Sequence, residues 1–191
     1  AVGLLAKAGI TDVRRARPGS RRSILKYDGE SVYEGILKIY KAPLAWAEKE
    51  FLQFGTAVTL ITIIFMNDER LSNWFAGQDA KVHSLLKDFG WYYGSPENHY
   101  AINGGFYLYG LIKKDETVRK TGVLLISATC ASGLFQTVNK ILIGRARPLR
   151  NDGKTSFKPF SKENSYYSFP SGHSILSFTT TYAIGTQFKN P

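Results

Sequence analysis

Apolar residues in this chain fall in long runs with helical spacing, and nowhere alternate with the period of two that marks a half-buried strand. Val32, Ile36, Ile39 and Tyr40 predict an amphipathic helix within residues 32–50, broken or restarted at Pro43. Phe51 to Asn67 is uncharged for 17 residues. As a helix it would reach about 25 Å, a little short of the roughly 20 residues of a full membrane span. Asp68 to Asp88 is mixed and polar and reads as a loop with a short helix, followed by an aromatic, glycine-containing stretch. Gly94-Ser95-Pro96 predicts a turn that opens the next helix. Ala101 to Ile112 is apolar, with Gly104-Gly105 expected to permit close helix packing, and Lys113 to Lys120 is a charged connector.

Thr121 to Asn139 is again uncharged, but seven of its 19 residues are polar. Small polar side chains suit a helix inside a bundle, because they allow close approach. Cys130 in this run reads as a small buried packing residue. A basic loop rich in proline, serine and phenylalanine follows over residues 145–169, and Ser174 to Phe188 closes the pattern as another apolar helix. The expected fold is an all-helical bundle.

Composition narrows the partners. The 191 residues carry 25 Lys and Arg against 15 Asp and Glu, a net charge of +10. Such a surplus favours anionic partners: nucleic acid, anionic lipid or phosphorylated substrates. One cysteine excludes an internal disulfide framework and a cysteine-cluster metal site. Residues 7–26 hold seven cations and one acid around Pro18-Gly19-Ser20, so residues 1–30 read as a basic, flexible N-terminal arm. The positive charge is local to this arm and the 145–169 loop, and aromatics do not alternate with cations, which argues against nucleic acid. The chain begins at Ala1 rather than Met, which suggests a processed or cut chain.

Two short segments carry candidate chemistry. Lys140 and Arg147 lie seven residues apart, and Pro148 predicts that their helix ends at or just before Arg147. Two cations at a helix end can converge on one tetrahedral anion, the lysine as a point charge and the arginine as a fork. Taken alone, the spacing is equally that of a solvated helix face. Further on stands Phe169-Pro170-Ser171-Gly172-His173, before an apolar run. Ser171 is suited to cap the helix, Gly172 lets backbone approach a ligand, and the free N–H groups form an anion site. His173, beside a bound dianion, would favour the imidazolium form that can protonate a departing alkoxide. An ordinary capped helix with a surface histidine would look the same.

Together, Lys140 to Pro148 and Pro170 to His173 resemble the first two motifs of the type 2 phosphatidic acid phosphatase superfamily: Lys, six residues, Arg-Pro; then Pro-Ser-Gly-His. That superfamily includes bacterial acid phosphatases, glucose-6-phosphatase and vanadium haloperoxidases. The resemblance extends loosely from about Ala45 to Pro191 and implies a phosphatase-like helical domain over residues 31–191. It also implies that Lys140, Arg147, Ser171 and Gly172 bind phosphate and that His173 is the general acid. Hydrolysis in the family needs no metal ion, and neither a cofactor nor a metal site is expected here.

The family's third motif, Ser-Arg, five residues, His, three residues, Asp, is not in this sequence. The three histidines are His83, His99 and His173, and no Arg, Asp or His follows the last. The expectation is a domain incomplete at its C-terminus, inactive by itself because the nucleophilic histidine is missing. His83 and His99 read as surface histidines. Asp152 and Glu163 read as local charge partners of Lys154 or Lys162.

The resulting expectation is a phosphoric monoester hydrolase of the bacterial cell envelope, acting through a phospho-histidine. Its substrate is a lipid phosphate or pyrophosphate, with a small phosphate ester still open. Its site would face away from the cytoplasm. A vanadium-dependent haloperoxidase and a non-catalytic envelope or anion-binding subunit are the alternatives. The mean hydropathy of −0.18 leaves membrane spans and a membrane-associated soluble bundle both open, and the oligomeric state unread.

Overall fold

The computed structural model describes residues 21–150 and 152–188. Among these there are seven α-helices and no strand beyond one isolated bridge, Arg145 with Phe157. The helices are α1 (Arg21–Lys41), α2 (Glu48–Met66), α3 (Asp68–Gln78), α4 (Ser84–Tyr93), α5 (Pro96–Lys113), α6 (Glu116–Ile143) and α7 (Gly172–Gln187). The all-α expectation is met.

Several boundaries differ from the sequence reading. α1 starts at Arg21 and so takes in residues 21–30 of the segment expected to be an arm; residues 1–20 lie outside the described residues. The reason is Asp28, a buried carboxylate that a flexible arm would not hold in place. Residues 68–88, expected as a loop with a short helix, are mostly helical, in α3 and the first half of α4. The turn at Gly94-Ser95-Pro96 is as expected: Ser95 caps α5, accepting from Asn98 N, with Pro96 in the first turn, where a missing N–H costs nothing.

The chain falls into two compact units. The first draws on Ala1–Pro43, Tyr92–Phe135 and Gly172–Pro191, of which 21–43, 92–135 and 172–188 are described. Its interior is small and polar. Val123, Leu125, Ala128, Ala131, Leu176 and Ala183 are buried together with Asp28, His99, Asn103, Arg119, Thr121, Ser127, Thr129, Thr179 and Thr180. Arg119 on α6 pairs with Asp28 on α1, and Tyr107 on α5 donates to the other Asp28 oxygen at 3.0 Å. A buried ion pair holds only when its spare lone pairs are also satisfied, and Tyr107 supplies that bond. Tyr40 on α1 donates to the Ala131 carbonyl at 2.7 Å.

Close helix approach in this unit is made by Gly110 and Gly122. A Cβ at Gly110 would stand 2.2 Å from the Arg119 nitrogen, and one at Gly122 2.6 Å from the Tyr107 backbone. Gly104 and Gly105, the pair expected to do this, have open space where a Cβ would go. They face away from α6, and the sequence pair alone cannot reveal which side of the helix packs.

His99 is fully buried rather than on the surface. Its Nε2 meets Thr129 Oγ1 at 2.5 Å and its Nδ1 meets Thr180 Oγ1 at 2.6 Å. Thr129 has one hydroxyl proton, which goes to the Leu125 carbonyl at 2.7 Å, and it also accepts from Asn103 Nδ2 at 2.8 Å. It must therefore accept from His99 as well, so the imidazole carries its proton on Nε2 and accepts from Thr180 on Nδ1. The neutral ring ties α5, α6 and α7 together. Cys130 is exposed, not buried: next to Thr129 in the chain, it points about 100° around α6 from that residue's network.

The second unit draws on Leu44–Trp91 and Gln136–Ser171. Its α2 buries none of its residues. Trp46 packs edge-on to Phe51 at 5.4 Å, and the threonines hide their polarity: Thr56, Thr59 and Thr62 each donate to the carbonyl four residues earlier. α2 and α6 are both long and apolar enough to cross a membrane, α2 with none of its apolar window buried and α6 with 44% buried. α3 leaves Trp74 and Phe75 exposed, and its Glu69, Ser72 and Asn73, at i, i+3 and i+4, share one polar face.

Candidate functional site

Lys140 sits half-buried in the last turn of α6. The helix ends at Ile143, earlier than Pro148 predicted, because Gly144 turns into left-handed backbone at φ +58. A side chain there is excluded twice over, by that φ and by the Lys158 carbonyl, 2.0 Å from where a Cβ would stand. Lys140 and Arg147 thus do not share a helix face. They remain near enough for each to feel the other's charge.

The segment after Gly144 has no regular structure, yet it is stitched on two sides. Lys158 N donates to the Gly144 carbonyl at 2.7 Å and Ala146 N to the Ser156 carbonyl at 3.0 Å. On the other side Arg147 N donates to the Ser165 carbonyl at 2.8 Å, and Ser168 Oγ reaches the Arg145 and Ala146 carbonyls at 3.0 and 2.9 Å. These bonds hold the Arg147 backbone while its side chain stays exposed, with no hydrogen-bond or ion-pair partner for its guanidinium among the described residues. Its neighbours are occupied: Arg145 pairs with Asp68 at 2.6 Å and lies over Phe65, and Lys154 donates to the Met66 carbonyl at 3.1 Å.

The acids of this loop are local charge partners, though not of the expected lysines. Asp152 pairs with Arg150 at 2.6 Å, and Glu163 pairs with Lys158 at 2.8 Å and Arg150 at 3.2 Å. Arg150 and Lys158 also stand over the Tyr166 ring, at 4.5 and 5.4 Å. The hydrogen bond from Lys158 holds the Glu163 carboxyl below the usual carboxylate range, and the same contact raises Lys158.

Ser171 is exposed at the end of this second unit, after a cis Phe169–Pro170 bond. Gly172 and His173, both half-buried, belong to the first unit and open α7. Within that unit His173 is backed by Gly94, which stands between α4 and α5. A Cβ on Gly94 would be 2.8 Å from His173 Cβ and 3.0 Å from its ring Cδ2. Gly94 is therefore a residue that seats the histidine, and the sequence marked it only as part of a turn. The other histidines are elsewhere: His99 in the buried network, and His83 exposed, its Nδ1 accepting from Leu85 N at the start of α4. Among the described residues no three His, Cys, Asp or Glu side chains gather as metal ligands.

The structure thus brings Lys140 near Arg147 in one unit and Gly94 against His173 in the other. Chemically, the first pair offers two cations for an anion, and the second offers a braced imidazole in the first turn of a helix, where the dipole favours negative charge.

Comparison with known proteins bears on the C-terminal part of the chain. Two curated relatives, the lipid A 1-phosphatases of Rhizobium etli and Rhizobium johnstonii, are each 46% identical over 67 residues. The match covers 33% of this chain and 29% and 28% of theirs, so the chain spans less than a third of the relatives it matches. No solved structure matches significantly. Residues 121–191 match the PAP2 superfamily, and the resemblance read from Lys140–Pro148 and Pro170–His173 is borne out there.

Proposed function

We propose that this chain belongs to a membrane-associated lipid phosphatase that hydrolyses a phosphate monoester or pyrophosphate of a lipid. The observation that supports it most is the unspent Arg147 guanidinium beside Lys140, held by a bonded loop, in a chain whose α7 opens with a braced histidine. In this reading Lys140 and Arg147 take the non-bridging phosphate oxygens, and Ser171 and the Gly172 N–H add hydrogen bonds. As a histidine nucleophile attacks phosphorus, the bond to the leaving oxygen breaks and His173 gives that oxygen its proton. Water then cleaves the phospho-histidine. The nucleophile is not among this sequence's three histidines, whose places are described above. The lipid A 1-phosphatase relatives support a lipid phosphate as substrate, and the exposed apolar α2 supports a membrane location. The family resemblance, rather than any contact in the structure, is what puts the site on the side away from the cytoplasm in this reading.

The test is His173→Ala and Lys140→Ala in the intact protein, with phosphate release from a lipid phosphate monoester as the readout. Loss of the general acid should slow turnover by about 10²–10⁴-fold. Turnover unchanged by either variant would instead favour an anion-binding role.

A further inference from the structure

A cavity of about 270 Å³ lies within the second unit, with Arg147 on one wall and the polar face of α3 on another. Glu69, Ser72 and Asn73 line it at i, i+3 and i+4, so one helix face presents all three. The walls are pinned on both sides, by Arg145 with Asp68 and by Lys154 on the Met66 carbonyl. Those bonds use up the flanking cations. Glu69, Ser72, Asn73 and Arg147 make no side-chain hydrogen bond or ion pair with any described residue, and remain available to a ligand.

We propose that this cavity is a headgroup subsite that takes the polyhydroxylated alcohol moiety of a phosphate ester whose phosphate is held by Arg147. The proposal rests on the phosphatase reading and specifies its substrate class. A free carboxylate accepts from hydroxyls, and a serine and an amide both donate and accept, which is the pattern a sugar-like ring can satisfy. Most of the lining side chains are charged or polar, with Ala146 and Pro148 the apolar ones, so the cavity matches a hydroxylated group better than an acyl chain. Three acids balance three cations around the cavity, so it does not attract a second phosphate. Its size is just under the range of about 300–1,000 Å³ typical for whole small ligands, and suits one headgroup ring.

Calorimetry with glucose 1-phosphate and phenyl phosphate on the intact protein, alongside phosphate release from each, tests this. The parent is expected to bind glucose 1-phosphate more tightly. Glu69→Gln and Asn73→Ala are each expected to cut that preference about tenfold, since unpaired polar groups in a hydrogen-bonding site penalise the wrong partner. Both substitutions lie on an exposed helix face, and unchanged melting would confirm intact folding. A parent without preference, or a preference that survives both variants, overturns the subsite. A Glu69-dependent preference in a protein that releases phosphate from neither compound leaves the subsite standing and overturns the hydrolase reading. Hydrolysis of both esters with no preference does the reverse.

Discussion

The two units spend their polar side chains in opposite ways. In the first they are buried and turned on one another: Asp28 with Arg119 and Tyr107, His99 with Thr129 and Thr180. In the second most are exposed, Ser161 being a buried exception. Some clasp a loop, as Glu163 does Lys158, while Arg147 and the Glu69, Ser72 and Asn73 face are left over. Buried networks of paired groups specify how helices pack, and unpaired exposed groups are available for chemistry. The difference separates scaffold from candidate binding surface more sharply than hydrophobicity does, since the large apolar residues of α2 are on the outside.

The strongest way to break this comparison is at the scaffold. Asp28→Ala leaves Arg119 as an uncompensated buried cation and should cost about 3–5 kcal/mol, measured by denaturant unfolding. The double variant Asp28→Ala with Arg119→Leu should recover part of that loss. A cost below about 1 kcal/mol for the single variant would mean that the pair is not desolvated as described.

A smaller effect is expected where the scaffold touches His173, the proposed general acid. Gly94→Ala forces a methyl into His173, and a misplacement well under an ångström should lower kcat by about 10-fold or more, with KM little changed. Gly90→Ala, in the same stretch but with open space around it, serves as the control. Equal behaviour of the two variants would show that Gly94 does not seat the histidine.

The smallest effect belongs to the loop clasp. Glu163 is held below the usual carboxylate range, so its bond to Lys158 contributes above that range and is lost as pH falls through the lowered value. Amide exchange over Lys158–Tyr166 should rise only in acid, below the ordinary carboxylate range. Glu163→Gln should show the raised exchange already at neutral pH. Because the pair is exposed, global stability should hardly change. Protection that is independent of pH would show that the backbone bonds, not the ion pairs, hold the loop.

Much of the local structure was legible in the chain. The Ser95-Pro96 start of α5 and the helices over residues 121–139 and 174–187 follow from capping and uncharged runs. The motif residues Lys140, Arg147, Ser171, Gly172 and His173 were legible as well, because their spacing is itself a sequence property. Misreadings cluster where a residue's partner is distant in the chain. His99 looked like a surface histidine because Thr129 and Thr180 are 30 and 81 positions away. The end of α6 was placed at or just before Arg147, yet the Lys158 carbonyl and the left-handed Gly144 ended it sooner. The α3 face was hidden by reading its polarity as a loop, though the i, i+3, i+4 spacing of Glu69, Ser72 and Asn73 was there to be seen.

What this protein's sequence determined by itself is its helical class and the presence of its Lys140–Pro148 and Pro170–His173 motifs, since both rest on short-range spacing and on which side chains carry charge. Tertiary structure alone decided which glycines bring helices together, which histidine is buried and neutral, what braces His173, and which cations are already paired. Each of those depends on a contact between residues far apart in the chain, and burial or pairing exists only once folding has brought the two sides together.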